Sequence, residues 1–262
     1  GGVILGNELL EIAETLSASR RLRRIIYDQT IRPKLSKLFT NLVTLPDLDQ
    51  KLRLGLEEGG RIADRSSPTL SSLRIKVRNL NFQRKEILTD ILRRKSQILH
   101  DNIIGKRNDR SVISVKVGLS SQLPGIIHDS SSSGNTVFVE PQSVINLGNE
   151  ISRYKSQIRK EEFRLLKEWS QEVAIFAVQI KELCKVILRL DMALTRARYG
   201  ECIGGINYSL LDNKDEPFVI QSFKHPLLLW KQMFEQGENV VPISLEINSN
   251  LKVIAITGPN TG

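Results

Sequence analysis

The chain has 262 residues, of which 40% are apolar, 26% charged and 5% aromatic, and a formal net charge of +9 at pH 7. That length holds one large domain or two ordinary ones, and so few aromatics suit long amphipathic helices better than one sphere. No apolar run nears the ~20 residues of a membrane helix, which argues against a membrane partner, and Cys184 and Cys202 sit in no metal-ligand pattern, so they read as reduced thiols in a cytosolic protein.

The first predicted element is a helix that Asn7 caps, with Leu9, Ile12, Ala13, Leu16, Leu22, Ile25 and Ile26 on one face. Pro33 and Pro46 then punctuate two shorter helical pieces, and Gly59-Gly60 is expected to end the second. At "DRSSPTL", Ser66 or Ser67 offers a cap and Pro68 fits a first turn. From there to Gly105 no glycine or proline interrupts, and Leu70, Leu73, Val77, Leu80, Ile87, Leu88, Ile91, Leu92, Ile98 and Leu99 recur at helical spacing. One helix of about 57 Å is expected. Residues 65–107 hold 11 basic against 3 acidic side chains, +8 of the chain's +9. A polyanionic partner such as DNA or RNA and a solvated basic helix face both fit that charge.

The period then changes. "SVISVKV", "PGIIHDS" and "SGNTVFVEP" read as three short strands, with Ile113, Val115 and Val117 alternating on one face. Such a piece is too small to stand alone. From Val144 to Arg198 a helix of about 80 Å is expected. Its second half carries Val173, Phe176, Ile180, Leu183, Ile187, Leu190, Leu194 and Ala197 as a seam for a partner, and its first half is mostly charged. Two antiparallel helices would thus make an arm with a β tip, although a plain coiled-coil spacer shares much of the pattern. After Gly200 three strand-like stretches open a separate α/β or mixed-sheet domain. The expected divisions are a helical core at 1–64, an outgoing helix at 65–105, the tip at 106–142, a returning helix at 143–200 and the new domain at 201–262. The chain starts without methionine and reads as an internal piece of something longer, so a targeting peptide would lie outside it.

Two stretches carry chemistry. The last residues run from an apolar strand into Gly258, Pro259, Asn260, Thr261 and Gly262. A phosphate loop needs small residues there because backbone N–H groups must face the phosphates, and its pattern continues Gly-Lys-Ser/Thr beyond four variable positions. An ordinary turn fits the bare residues equally. Around the β tip, Lys106, Arg107, Arg110 and Lys116 are the candidates for phosphate contact. The serines at 130–133 favour a turn, with the hydroxyls of Ser131 and Ser133 within reach of a phosphate. His128-Asp129 shows no third partner and reads as fixing a turn, and Glu140-Pro141 as ending a strand.

"ITGPNTG" at 256–262 resembles the nucleotide-binding loop of the MutS-type ATPases, with Thr261 as in the second, recombination-suppressing bacterial branch. "PGIIHDSSSSGNTVFVEP" at 124–141 is more specific, and Gly125, His128, Asp129, Ser131, Ser133, Gly134, Thr136, Phe138, Glu140 and Pro141 match that branch. Asn135 departs from it, while "EGGRIADRSSPTL" at 58–70 and "HPLL" at 225–228 extend the likeness over the whole chain. The fold this resemblance implies is mostly α. It has a helical core, a long antiparallel two-helix lever arm, a small three-stranded β clamp tip and the first strands of an ABC-type P-loop ATPase domain. It also implies ATP and Mg²⁺ as cofactors, a homodimer and a C-terminal endonuclease outside this chain. His225, Val240 and Val241 lie where related ATPases build an adenine pocket, although the valines by themselves read as core packing. The implied partner is branched or mismatched DNA in the cytoplasm, at the nucleoid, with suppression of homologous recombination as the outcome. An organelle of bacterial origin is the other compartment. Gripping ribosomal RNA on stalled or collided ribosomes is the alternative, and a structural coiled-coil protein the third.

Overall fold

Ser67 sets the start of the longest basic helix as its sequence demands. In the computed structural model, which describes residues 2–25, 35, 42–205, 217–248, 250–255 and 258, Ser67 is extended and its hydroxyl oxygen accepts from the Leu70 N–H at 3.3 Å. Pro68 fills the first turn, where an N–H would lack a partner anyway. The chain is mostly helical with a small antiparallel sheet, and forms two compact units, Gly1–Ile187 and Leu188–Gly262. The division falls earlier than the composition change at residue 200.

The first unit holds helices α1 (Gly6–Ile25), α2 (Pro46–Gly55), α3 (Pro68–Arg94) and α4 (Gln142–Ile175), and the beginning of α5 (Ala177–Cys202). Leu9, Ala13 and Leu16 of α1 pack with Leu48 and Leu52 of α2, Leu70 of α3 and Trp169 and Val173 of α4. The apolar face of α1 thins along its length. Leu22 still touches this core, whereas Ile25 is exposed; Ile26 and Pro33 lie outside the described residues. Gly55 runs directly under Trp169, where an added Cβ would lie 2.6 Å from the indole Cζ2. That glycine, not Gly59-Gly60, ends α2. Gly59 and Gly60 adopt φ of +74° and +79° and make the turn that pairs Leu56 with Ile62.

Helices α3 and α4 run antiparallel. At one end the Ser67 hydroxyl donates to Glu161 Oε1 at 2.7 Å, and Arg74 donates to Ile62 O at 2.8 Å, Asp64 Oδ1 at 2.5 Å and Glu162 Oε1 at 2.6 Å. At the other, Leu88 and Leu92 meet Val144. Hydrogen bonds from Arg164, and then from Ser67, hold the Glu161 carboxyl at about 2, below its ordinary 4.5. A hydrogen bond from Arg74 likewise holds Asp64 below the usual range, against the opposing effect of burial. Both carboxyls are lowered in the fold. Their contribution is therefore complete above the unfolded values and disappears as pH falls from about 4.5 toward 2. Urea midpoints measured from pH 5 to pH 2 should fall more steeply for the native chain than for Glu161→Gln; parallel curves would refute this role.

The sheet has four strands, not three: β1 (Leu99–Arg107), β2 (Arg110–Lys116), β3 (Gly125–Ser130) and β4 (Thr136–Pro141), in antiparallel order β1-β2-β4-β3. Helix α3 stops at Arg94, and the residues expected to prolong it to 105 form a 3₁₀ turn, Ser96–Ile98, and then β1 instead. Asn108 and Asp109, at φ of +48° and +65°, make a two-residue turn that pairs Arg107 with Arg110. Asn and Asp enter this left-handed region more readily than most residues. Register places Ile113 beside Val139 and Val115 beside Val137. Together with Leu88, Leu92, Ile98, Leu99, Leu123 and Val144 they form a second core. Val117 falls past the end of β2, in a 3₁₀ turn, and is exposed. At 27 residues α3 is about 40 Å long.

The expected 80 Å returning helix is two helices. At Phe176 (φ −101°, ψ 12°) the N–H bonds to Val173 and Ala174 carbonyls instead of the fourth residue back. Phe176, Leu183 and Val186 meet the first core from either side of this break. α4, with 34 residues, spans about 51 Å.

In the second unit, β5 (Phe218–Phe223) pairs antiparallel with β6 (Ile243–Ile247). "HPLLLW" forms helix α6 (Pro226–Phe234), not a strand, because Pro226 fits the first helical turn and the leucines carry no strand alternation. The expected strand at 251–255 is absent. Val253 is exposed, and among the described residues nothing pairs with this stretch. No helix among the described residues is long and apolar enough to cross a membrane.

Candidate nucleic-acid interface

Two hairpins present the candidate contact residues. Lys106 and Arg107 close β1 beside the Asn108-Asp109 turn. Lys106 is exposed and makes no ion pair among the described residues. Arg107 is held in place: its Nε lies 3.0 Å from Asp129 Oδ2, and its guanidinium stacks 3.9 Å from the Phe138 ring centre. It still exposes 39% of its side chain, so it is oriented without being consumed. Lys116 ends β2, exposed, with Nζ 3.3 Å from the Gln97 carbonyl.

The serine turn lies at the Lys116 end, since Lys116 pairs with Thr136. Ser131 Oγ accepts from the Thr136 N–H at 3.2 Å and sits 3.3 Å from Ser133 Oγ. Gly134, at φ +71°, lets the chain turn back into β4. Six steps along β2 lead from Arg110, the cross-strand partner of Arg107, to Lys116, so the backbones of these positions stand roughly 20 Å apart at about 3.3 Å per residue. The Arg107 guanidinium reaches back toward the serine turn, because the Asp129 and Phe138 it touches are paired two residues from Ser131 and Thr136.

Arg110 is placed differently. Its side chain is only 18% exposed. Nε donates to Glu140 Oε2 at 2.8 Å, and Nη2 donates to Ile145 O at 3.3 Å and Asn149 Oδ1 at 3.0 Å. His128 Nε2 lies 2.8 Å from the same carboxylate oxygen. Glu140 is fully buried, and its Oε1 has no hydrogen-bond partner among the described residues. Gly148 of α4 packs so tightly here that an added Cβ would lie 2.9 Å from both the Arg110 guanidinium carbon and Glu140 Oε1. This buried cluster ties the sheet to α4. Glu140 was legible only as a strand end. The signal for more was an acid among Val137, Phe138 and Val139, where burial demands a cation.

The nucleotide candidates belong to the second unit. Gly258 is exposed with open space around its Cα, which suits a position where backbone approaches a phosphate. Pro259, Asn260, Thr261 and Gly262 lie outside the described residues. His225 precedes α6 as its N-cap residue. The Val240 N–H donates to Gln232 Oε1 at 3.0 Å. Val241 is exposed, which removes the core-packing role expected for it. Of the residues expected to face ATP and Mg²⁺, the described part fits in backbone openness alone.

No family model matches the chain. It is similar along its whole length to proteins named Endonuclease MutS2. It is 41% identical over 263 residues to that of Synechocystis sp., 36% over 265 residues to that of Pelotomaculum thermopropionicum and 32% over 269 residues to that of Halalkalibacterium halodurans. These alignments cover 100% of this chain but 32%, 32% and 33% of those proteins. The chain thus spans about a third of the length of the curated relatives it matches.

Proposed function

Because the chain belongs over its whole length to the MutS2 family, we propose that it is the core, lever and clamp segment of an ATP-driven, homodimeric protein that grips branched DNA and restrains recombination. The observation that carries this reading is the placement of Lys106 and Arg107 at a hairpin end of a sheet locked to a packed helix pair. Phosphates attract such cations without regard to sequence, which suits a clamp that recognises shape. Asp129 and Phe138 aim the Arg107 fork, and a planar guanidinium is well matched to a phosphate. Lys116 with Ser131 and Ser133 would add further donors beside the Arg107 fork, since the Asp129 that holds Arg107 stands two residues before Ser131.

ATP would supply the free energy for opening and closing; Gly258, Asn260, Thr261 and Gly262 would present backbone N–H groups to its phosphates, with Mg²⁺, while Pro259 has none to give. Within this chain the role of α3 and α4 is stiffness. Arg74 and the Ser67–Glu161 bond fix one end, and the Glu140 cluster fixes the other. Endonuclease activity, for which the relatives are named, would come from residues outside this chain. Partner choice is tested with the full-length protein by anisotropy on four-way-junction DNA and by co-sedimentation with ribosomes. The expected result is tighter binding to junctions than to linear duplex and no ribosome pelleting. Pelleting with ribosomes and no DNA binding would replace DNA by ribosomal RNA, and binding to neither would leave a structural spacer.

A further inference from the structure

Between α3 and the β1–β2 hairpin lies a cavity of about 310 Å³ lined by Asn81, Arg84, Lys85, Leu88, Ile104 and Ser111. Its size falls at the lower end of small-ligand pockets. Its chemistry is lopsided: two cations, a hydroxyl and an amide face two apolar walls, and no carboxylate lines it.

Arg84 is the unusual member. It is 9% exposed, yet its one hydrogen bond among the described residues runs from Nη2 to the neutral Asn81 Oδ1 at 2.6 Å. Asn81 is itself pinned, since its Nδ2 donates to the Val77 carbonyl at 2.7 Å. A buried guanidinium ordinarily has an acid beside it. The carboxylate that acts on Arg84, Glu140, makes no hydrogen bond to it among the described residues and receives Arg110 and His128 on Oε2. Burial, reinforced by Arg110, lowers the Arg84 pKa despite the opposing pull of Glu140. An arginine keeps its proton regardless, so the net result is a buried cation short of negative charge. Ser111 is equally placed, buried at 6% and with no hydrogen bond from its hydroxyl among the described residues. Lys85, exposed at the rim, adds charge without an ion pair among the described residues.

We propose that this pocket is a phosphate site, in which Arg84 and Ser111 donate to the oxygens of a phosphate group and Lys85 attracts it to the mouth. The group is either a free oxyanion or one phosphate of a nucleic-acid backbone. In the second case the site rests on the clamp reading and would seat the strand against α3 as well as the sheet.

Isothermal titration of the chain with inorganic phosphate, at constant ionic strength and with chloride as control, tests the site. Arg84→Gln should weaken phosphate by about tenfold or more, as loss of a charge-assisted bond implies. Because that variant leaves a polar amide in a buried place, Ser111→Asp provides a second readout. Its carboxylate would pair with Arg84 inside the pocket, keep the fold intact and abolish phosphate binding. An oligothymidine titration separates the sources. A free-anion site gives saturable phosphate binding and an oligonucleotide affinity unchanged by Ser111→Asp. A backbone site gives an oligonucleotide affinity that the same substitution reduces. The proposal is overturned if phosphate fails to saturate and Ser111→Asp leaves oligonucleotide affinity alone, or if both variants bind phosphate as the native chain does. Either result leaves the clamp reading intact, because that depends on Lys106, Arg107 and Lys116.

Discussion

Alanine at Glu140 should cost about 3–5 kcal/mol, the usual penalty for removing one member of a buried ion pair. The carboxylate is fully buried and receives Arg110 and His128 at 2.8 Å each. Without it the Arg110 guanidinium keeps only the Ile145 carbonyl and the Asn149 side chain, neither of them charged. Arg84 also loses the acid that partly offsets its burial. Glu140→Gln keeps the shape and one acceptor, and should lie between alanine and the native chain. The damage should be regional. Glu140 belongs to the strand whose Val137 and Val139 line the second core, whereas the first core, around Trp169 and Leu52, shares no residue with it. Amide hydrogen exchange should therefore accelerate in β2, β4 and the first turns of α4 before it does in α1 and α2. Uniform acceleration, or a loss under about 1 kcal/mol, is the result that would show the cluster to be incidental.

The parts of the fold that could be read in the sequence are those set by local chemistry. Ser67-Pro68 announced α3, and Leu9, Ala13, Leu16 and Leu70 were recognisable as buried by their spacing. Ile113 and Val115 were recognisable by alternation. What failed needed partners distant in sequence. Ile98 and Leu99 continue the helical period of α3, so only the pairing with β2 decides that the chain from Leu99 onward is strand; Asn108-Asp109 was the available clue. Phe176 has neither glycine nor proline beside it, and its break reflects how two helices meet one core. In the second unit Pro226 could have flagged α6 over a strand.

The same holds for the interface. Lys106, Arg107 and Lys116 were visible as cations flanking strands, and the structure keeps them at the surface or close to it. Arg110 looks identical in sequence, but its acid lies 30 residues away, so its burial could not be seen. Arg84 was one of 11 basic residues in a stripe, and only packing against Ser111 and Ile104 distinguishes it. The serine turn was legible because Ser131 and Gly134 act on their own neighbours.

The proposal that the sheet grips phosphate is tested most directly by the salt dependence of DNA binding. Each phosphate neutralised contributes about −0.9 to the slope of log affinity against log salt on duplex DNA. Lys106→Glu, Arg107→Glu and Lys116→Glu combined should make that slope shallower by about 2 to 3 and weaken binding at least about tenfold at physiological salt. Arg110 is left alone in this variant, since reversing it would break the Glu140 cluster and confuse folding with binding. The variant should stay folded, with a urea midpoint only slightly below the native one, because the Arg107–Asp129 pair it breaks is about half exposed and Lys106, Arg107 and Lys116 belong to neither core. A folded triple variant with the native slope and affinity would contradict the assignment of this sheet as the surface that holds nucleic acid.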